Sequence, residues 1–320
     1  MGLDWQLRRR RRRRNILQSL LLLGGMVALL AACGWIIAGL EGLLVVGVFA
    51  LLALWGSSRL SPRLVLQLFR AQPLPPGELN ALHRLVALLS ERAGLARTPR
   101  LYYVSSPTMN AFSVGRPDEA AVAVTTGLLR AMDLRELAGV LAHEVSHIVH
   151  NDMWVMGLAD VVTRLTRSMS FLGLLLLALN LPLVMTGAAV VPWLLVLLMV
   201  FAPAIGTLLQ LALSRTREFD ADLEAATLTG DPAGLASALQ KMERYQSRFW
   251  EDILLPGRRV PDPSILRSHP HTAERVRRLL ELRGKPRFEP LTLFDEPAQH
   301  HAFIPESPRR PRWRRWGTWY

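Results

Sequence analysis

The sequence points to an α+β protein, mainly helical, in which a small sheet accompanies about four transmembrane helices arranged as two hairpins. Three observations carry this reading. Half of the 320 residues are apolar and only 20% are charged, with a mean hydropathy of +0.21. Two long stretches are almost free of charge, and the polar regions around them alternate between helical and two-residue apolar spacing. Such a composition excludes a disordered chain, a collagen-like repeat and a disulfide-rich secreted domain. Cys33 is the single cysteine, so neither an intramolecular disulfide nor a cysteine-rich zinc finger can form. A metal would have to be held by His, Asp or Glu.

The net charge of +12 belongs to the two ends. Arg8 to Arg14 is an unbroken run of seven arginines, and five more lie between Arg309 and Arg315. Without those twelve, 26 basic residues face 25 acidic ones once Asp4 is set aside, so residues 15–308 are close to neutral. A folded nucleic-acid-binding face is therefore not expected.

Residues 1–14 read as a basic N-terminus. Residues 15–58 carry one charge, Glu41. As one helix they would reach roughly 65 Å, twice a hydrocarbon core, so a hairpin turning within Gly34 to Gly42 is expected. A cleaved signal peptide fits less well, because the apolar stretch is too long. Myristoylation is disfavoured by Gln6. Residues 59–167 form the first polar region. Within it, Pro75 to Ala93 has helical spacing and Gly94 to close it, and Leu101 to Val104, Asn110 to Val114 and Ala120 to Thr125 have strand character. Helical spacing returns from Leu134 to Asn151. Residues 168–214 are uncharged and suit two crossings, about Phe171 to Ala189 and Pro192 to Leu213. Residues 215–285 form the second polar region: a helix through Glu218 and Asp222 ends at Gly230, Asp231-Pro232 opens the next, and a last helix spans Thr272 to Leu282. Residues 286–320 form a Trp- and Arg-rich tail, expected to be poorly ordered or to rest at the lipid interface. Arginines flank both hairpins on their polar sides, which predicts that both termini and both polar regions face the cytoplasm.

The chemistry concentrates at His143-Glu144-Val145-Ser146-His147. Positions i and i+4 share a helix face, so both imidazoles can reach one zinc ion. Zinc lowers the pKa of a bound water, and Glu144 is the candidate general base that takes its proton as the water attacks an amide carbonyl. A catalytic zinc needs a third protein ligand. His150 lies about 10.5 Å of helix rise from His143, too far to share one ion comfortably. Glu218 is the candidate third ligand, with Asp222 on the same face to accept a hydrogen bond from a ligand histidine, His143 above all. The alternative is that both acids simply balance Arg215 and Arg217 by helix pairing. His147 and Glu218 are 71 positions apart, and removing the 47 uncharged residues from Ser168 to Ser214 leaves 24. The second hairpin thus reads as an insertion into a compact zinc site.

At these residues the chain resembles the HtpX-like membrane zinc metalloproteases, relatives of the CAAX prenyl proteases. The resemblance covers most of residues 15–284. It rests on Asn110-Ala111-Phe112, on Val122 to Leu129, on Leu141-Ala142-His143-Glu144, on Ser214-Arg215 leading to Glu218, and on Ser268-His269-Pro270 followed by Glu274-Arg275. It implies a gluzincin-type protease domain at the cell membrane, with one zinc per subunit. The activity implied is cleavage of misfolded or damaged membrane proteins on the cytoplasmic side, as quality control or stress response. The seven-arginine N-terminus, the Trp/Arg-rich C-terminus and His150 depart from the family pattern. The resemblance also makes the Asn110 to Val114 strand either an edge for an extended substrate or a plain structural strand. His269 is either a donor to the oxyanion or a component of a bend before the last helix.

Two other readings compete. An intramembrane protease is disfavoured by Arg130, Asp133, Arg135, Glu136 and Asp152 close around the motif. The other is a non-catalytic zinc-binding membrane scaffold or regulator with a degenerate site.

Overall fold

The computed structural model describes residues 2–57, 62–75, 77, 79–187, 193–253, 272–282 and 291. It is mostly helical with one small sheet, and the chain divides into two units. The expected α+β, mainly helical class is what is found.

The first unit is apolar. Helix α1 (Gly2–Ser57) runs from the arginine-rich N-terminus and breaks at Ala38 and Gly39, where φ turns positive at the glycine. The two arms of this hairpin meet at glycines: a β-carbon on Gly42 would lie 2.1 Å from the Gly34 carbonyl oxygen. Only residues without a side chain allow that approach. The expected turn between Gly34 and Gly42 is therefore present. Helix α6 (Asp152–Leu179) is followed by the short α7 (Leu181–Met185) and by α8 (Trp193–Thr229), which passes Pro203 without interruption. Three helical segments are long and apolar enough to cross a membrane, Ile16–Ile36, Asp152–Leu179 and Val196–Thr229, and Ala38–Leu52 is a shorter apolar helix. Four full-length crossings are thus not all present among the described residues. Helix α6 begins far earlier than the expected Phe171. Arg164 is not ahead of the helix but on it, paired with Asp160 one turn away at 2.7 Å. Charge marks where a helix leaves lipid, not where it starts. Outward-facing Leu21, Leu44, Phe49, Phe171, Trp193 and Leu208 are each more than half exposed, as lipid-facing side chains are.

The second unit is polar outside and apolar inside. Helix α2 (Pro62–Leu68) leads to β1 (Gln72–Pro73), then to α3 (Asn80–Ala93), β2 (Arg100–Val104), β3 (Ala111–Val114), β4 (Ala121–Thr125) and α4 (Thr126–Ala131). Helices α5 (Leu134–His150), α9 (Pro232–Ile253) and α10 (Thr272–Glu281) complete it with the end of α8. Strand order is β1-β2-β4-β3, with β2 parallel to β4 and β3 antiparallel at the edge. β4 is buried along its whole length. Its Val122 and Val124 join the main core with Leu85, Leu89 and Leu141, whereas Ala121 and Ala123 face the cluster of Leu66 and Val114. That two-residue alternation is the pleat of a strand covered on both sides. Helix α3 starts at Asn80 rather than Pro75. Pro75 and Pro76 disfavour helix at their own positions and before, and Gly77 and Leu79 both take positive φ.

Helix α5 is fixed at both the start and the middle. Asp133 Oδ1 accepts from the Glu136 amide at 2.8 Å, and Glu136 Oε2 accepts from the Asp133 amide at 3.1 Å, a reciprocal cap. Glu136 also receives Lys241 Nζ and Ser237 Oγ from α9, each at 2.6 Å. One turn on, a β-carbon at Gly139 would meet the Leu235 backbone at 2.8 Å, so α5 and α9 pack backbone to backbone. Asp231 caps α9 by accepting from the Gly234 amide at 3.1 Å, and it also accepts from Nε and Nη2 of Arg135.

Candidate metal centre

His143 and His147 project from the same face of α5, whose apolar residues Leu141, Val145 and Ile148 are buried against the core. Their Nε2 atoms are 3.1 Å apart, with the rings nearly perpendicular at 85°. Glu218 lies one turn before Asp222 on unbroken α8. The ligand atoms of His143, His147 and Glu218 all lie within 4.8 Å of one another. His143 and Glu218 are buried and His147 is half-buried.

This donor set fits a divalent cation. Two nitrogens bound to one tetrahedral ion at about 2.05 Å would sit roughly 3.3 Å apart, close to the separation found. Two imidazole lone pairs and a carboxylate aimed at one point repel each other unless a proton or cation sits among them. Glu144, next to His143 in sequence, is half-buried on α5.

Asp222 Oδ1 is 3.1 Å from His143 Nδ1, the nitrogen facing away from His147. Asp222 is itself gripped by Arg275 of α10, whose Nε and Nη2 each donate at 2.7 Å. The four residues expected from the sequence to share a site, His143, His147, Glu218 and Asp222, are therefore brought together. His150 is not among them: its Nδ1 lies 2.9 Å from the Ser146 carbonyl oxygen. His269 lies outside the described residues, as does the tail apart from Leu291. Arg275 was quoted above with Glu274 as part of the resemblance but was given no place at the site. That motif was itself the signal.

Residues 76–283 match the family described as Peptidase family M48. The chain is 34% identical over 281 residues to a protein named Protease HtpX homolog from Paraburkholderia phytofirmans, covering 82% of this chain and 95% of that one. A protein of the same name from Nostoc punctiforme is 36% identical over 273 residues, 79% of this chain and 91% of that one. The crystal structure of S. mikatae Ste24p aligns with a TM-score of 0.45 and 20% identity, over 84% of this chain and 66% of that chain.

Proposed function

The chain belongs to peptidase family M48, as an HtpX-like membrane metalloprotease that hydrolyses polypeptides, and from that premise we propose a zinc-dependent endopeptidase anchored in the cell membrane. The observation that supports it most is the convergence of His143, His147 and Glu218, with Glu144 next to His143 on α5.

In this reading His143, His147 and Glu218 hold one zinc ion. Zinc would supply Lewis acidity, lowering the pKa of water and polarising a carbonyl. Glu144 is the general base. It accepts a proton from the attacking water and returns it to the departing amine, so the amide C–N bond breaks as a C–O bond forms. Asp222 holds the Nδ1–H tautomer of His143, which leaves Nε2 with the free lone pair. Strand β3, at the edge of the sheet among the described residues, is proposed to pair with an extended substrate, and pairing of that kind tolerates many sequences. His269 is proposed to donate to the oxyanion.

The arginines flanking the apolar stretches support an arrangement with both termini and the site on the cytoplasmic side. Misfolded or damaged membrane proteins are the proposed substrates. The segments follow the sequence: a basic N-terminus (1–14), the first hairpin (15–58), a protease segment carrying the His143 to His147 helix (59–167), the second hairpin (168–214), a protease segment carrying Glu218 (215–285) and the tail (286–320).

The test is purification in detergent with a chelator, followed by zinc addition and assay on casein and on the chain itself. Parent protein is expected to regain proteolysis while Glu144→Gln binds zinc without cleaving. Full activity in Glu144→Gln would refute the mechanism.

A further inference from the structure

Arg275 is 3% exposed, and its neighbours on α10, Val276 and Leu279, belong to the apolar core. A cation in such a place carries a desolvation cost that a well-packed apolar side chain would not. Its fork grips Asp222: Nε donates to Oδ2 and Nη2 to Oδ1, both at 2.7 Å. Two parallel bonds fix the plane of the carboxylate as well as its position. The oxygen that takes Nη2, Oδ1, is also the one 3.1 Å from His143 Nδ1. Nη2 itself stands 3.5 Å from His143 Nε2.

We propose that Arg275 is a positioning residue for the metal site: by locking the Asp222 carboxylate, it holds His143 in the tautomer and ring orientation that present Nε2 to the ion. The inference rests on the reading of His143 as a metal ligand. In this reading α10 acts on the site through the Arg275 guanidinium.

Two physical effects of Arg275 have opposite signs. A cation near the ion repels it, so charge alone predicts that removing Arg275 tightens metal binding. Orientation predicts the reverse. Losing the partner that orients a ligand commonly weakens metal binding by about 10- to 100-fold. Lysine keeps the charge but not the fork, so Arg275→Lys should fare nearly as badly as Arg275→Met.

The experiment uses full-length protein in detergent, in a Glu144→Gln background to prevent self-digestion. Zinc affinity is read by competition with a chromogenic chelator. Arg275→Met and Arg275→Lys are each expected to lose about 10- to 100-fold, as is Asp222→Asn. The Asp222→Asn/Arg275→Met double variant should be no weaker than the weaker single, because both act through one path. Unchanged or tighter zinc in both Arg275 variants, or losses that multiply in the double variant, would overturn the proposal. If Arg275→Met does not fold, Arg275→Lys, which retains the aliphatic stem and charge, gives the same readings. Glu218→Ala serves as the control. If it binds zinc as tightly as the parent, the metal-site reading itself fails, whatever Arg275 does.

Discussion

The two units bury polar groups for different ends. In the polar unit, buried charged side chains sit in connected sets. Arg275, Asp222 and His143 form one, and buried Glu136 forms another with the more exposed Ser237 and Lys241. In the apolar unit, the buried polar groups are mostly small hydroxyls such as Ser19, Thr163 and Ser170, beside the carboxylates of Glu218 and of Asp152, the latter paired with Arg217 at 3.0 Å. The polar unit gains hydrophobic stabilisation from water on its outside, which offsets the cost of dehydrating charge within. A lipid-facing unit has no such driving force between its helices and relies on close fit instead.

The largest expected effect separates chemistry from support. Glu144→Gln should lower proteolysis by about 10²- to 10⁴-fold with unchanged melting, the size of a lost general base. Glu218→Ala should in addition abolish stoichiometric zinc, measured by metal analysis after gel filtration. If both variants melted far below the parent, the site would be a structural prop and the contrast would dissolve.

Close packing is tested next in both units. Gly139→Leu would force a side chain into the Leu235 backbone, and Gly42→Leu would force one into Gly34. Each should cost about 1–3 kcal/mol or more by overpacking, read as a lowered melting temperature in detergent. A neutral Gly42→Leu would show that the arms of the first hairpin do not depend on contact. Lys241→Met leaves buried Glu136 without its cation, and a loss of about 1–3 kcal/mol is expected. Smallest of all is Arg164→Ala, whose partner Asp160 is exposed: about 0.5 kcal/mol or less. A large loss there would mean that surface pairs matter more in the apolar unit than its composition suggests.

The clustering of these side chains was legible in sequence because it follows helical spacing. His143 and His147 are one turn apart, and so are Glu218 and Asp222, so residue type and period together pointed to their meeting. The hairpin turn was equally legible, since a long uncharged stretch with clustered glycines has few other solutions. Short elements escaped for the converse reason. Two residues of β1 and six of α4 are too few to show a period, and α2 is explained only by the sheet face it covers. Arg275 escaped because an arginine on a charged helix reads as surface until its neighbours Val276 and Leu279 are known to be core.

The backbone of α1 stays helical through Arg8 to Arg14 and into the first apolar arm. Beyond that arm the chain doubles back, and the returning arm touches it where Gly34 and Gly42 carry no side chain. Turning either arm about its own axis would bring a side chain against backbone, so two missing methyl groups fix the azimuth of both.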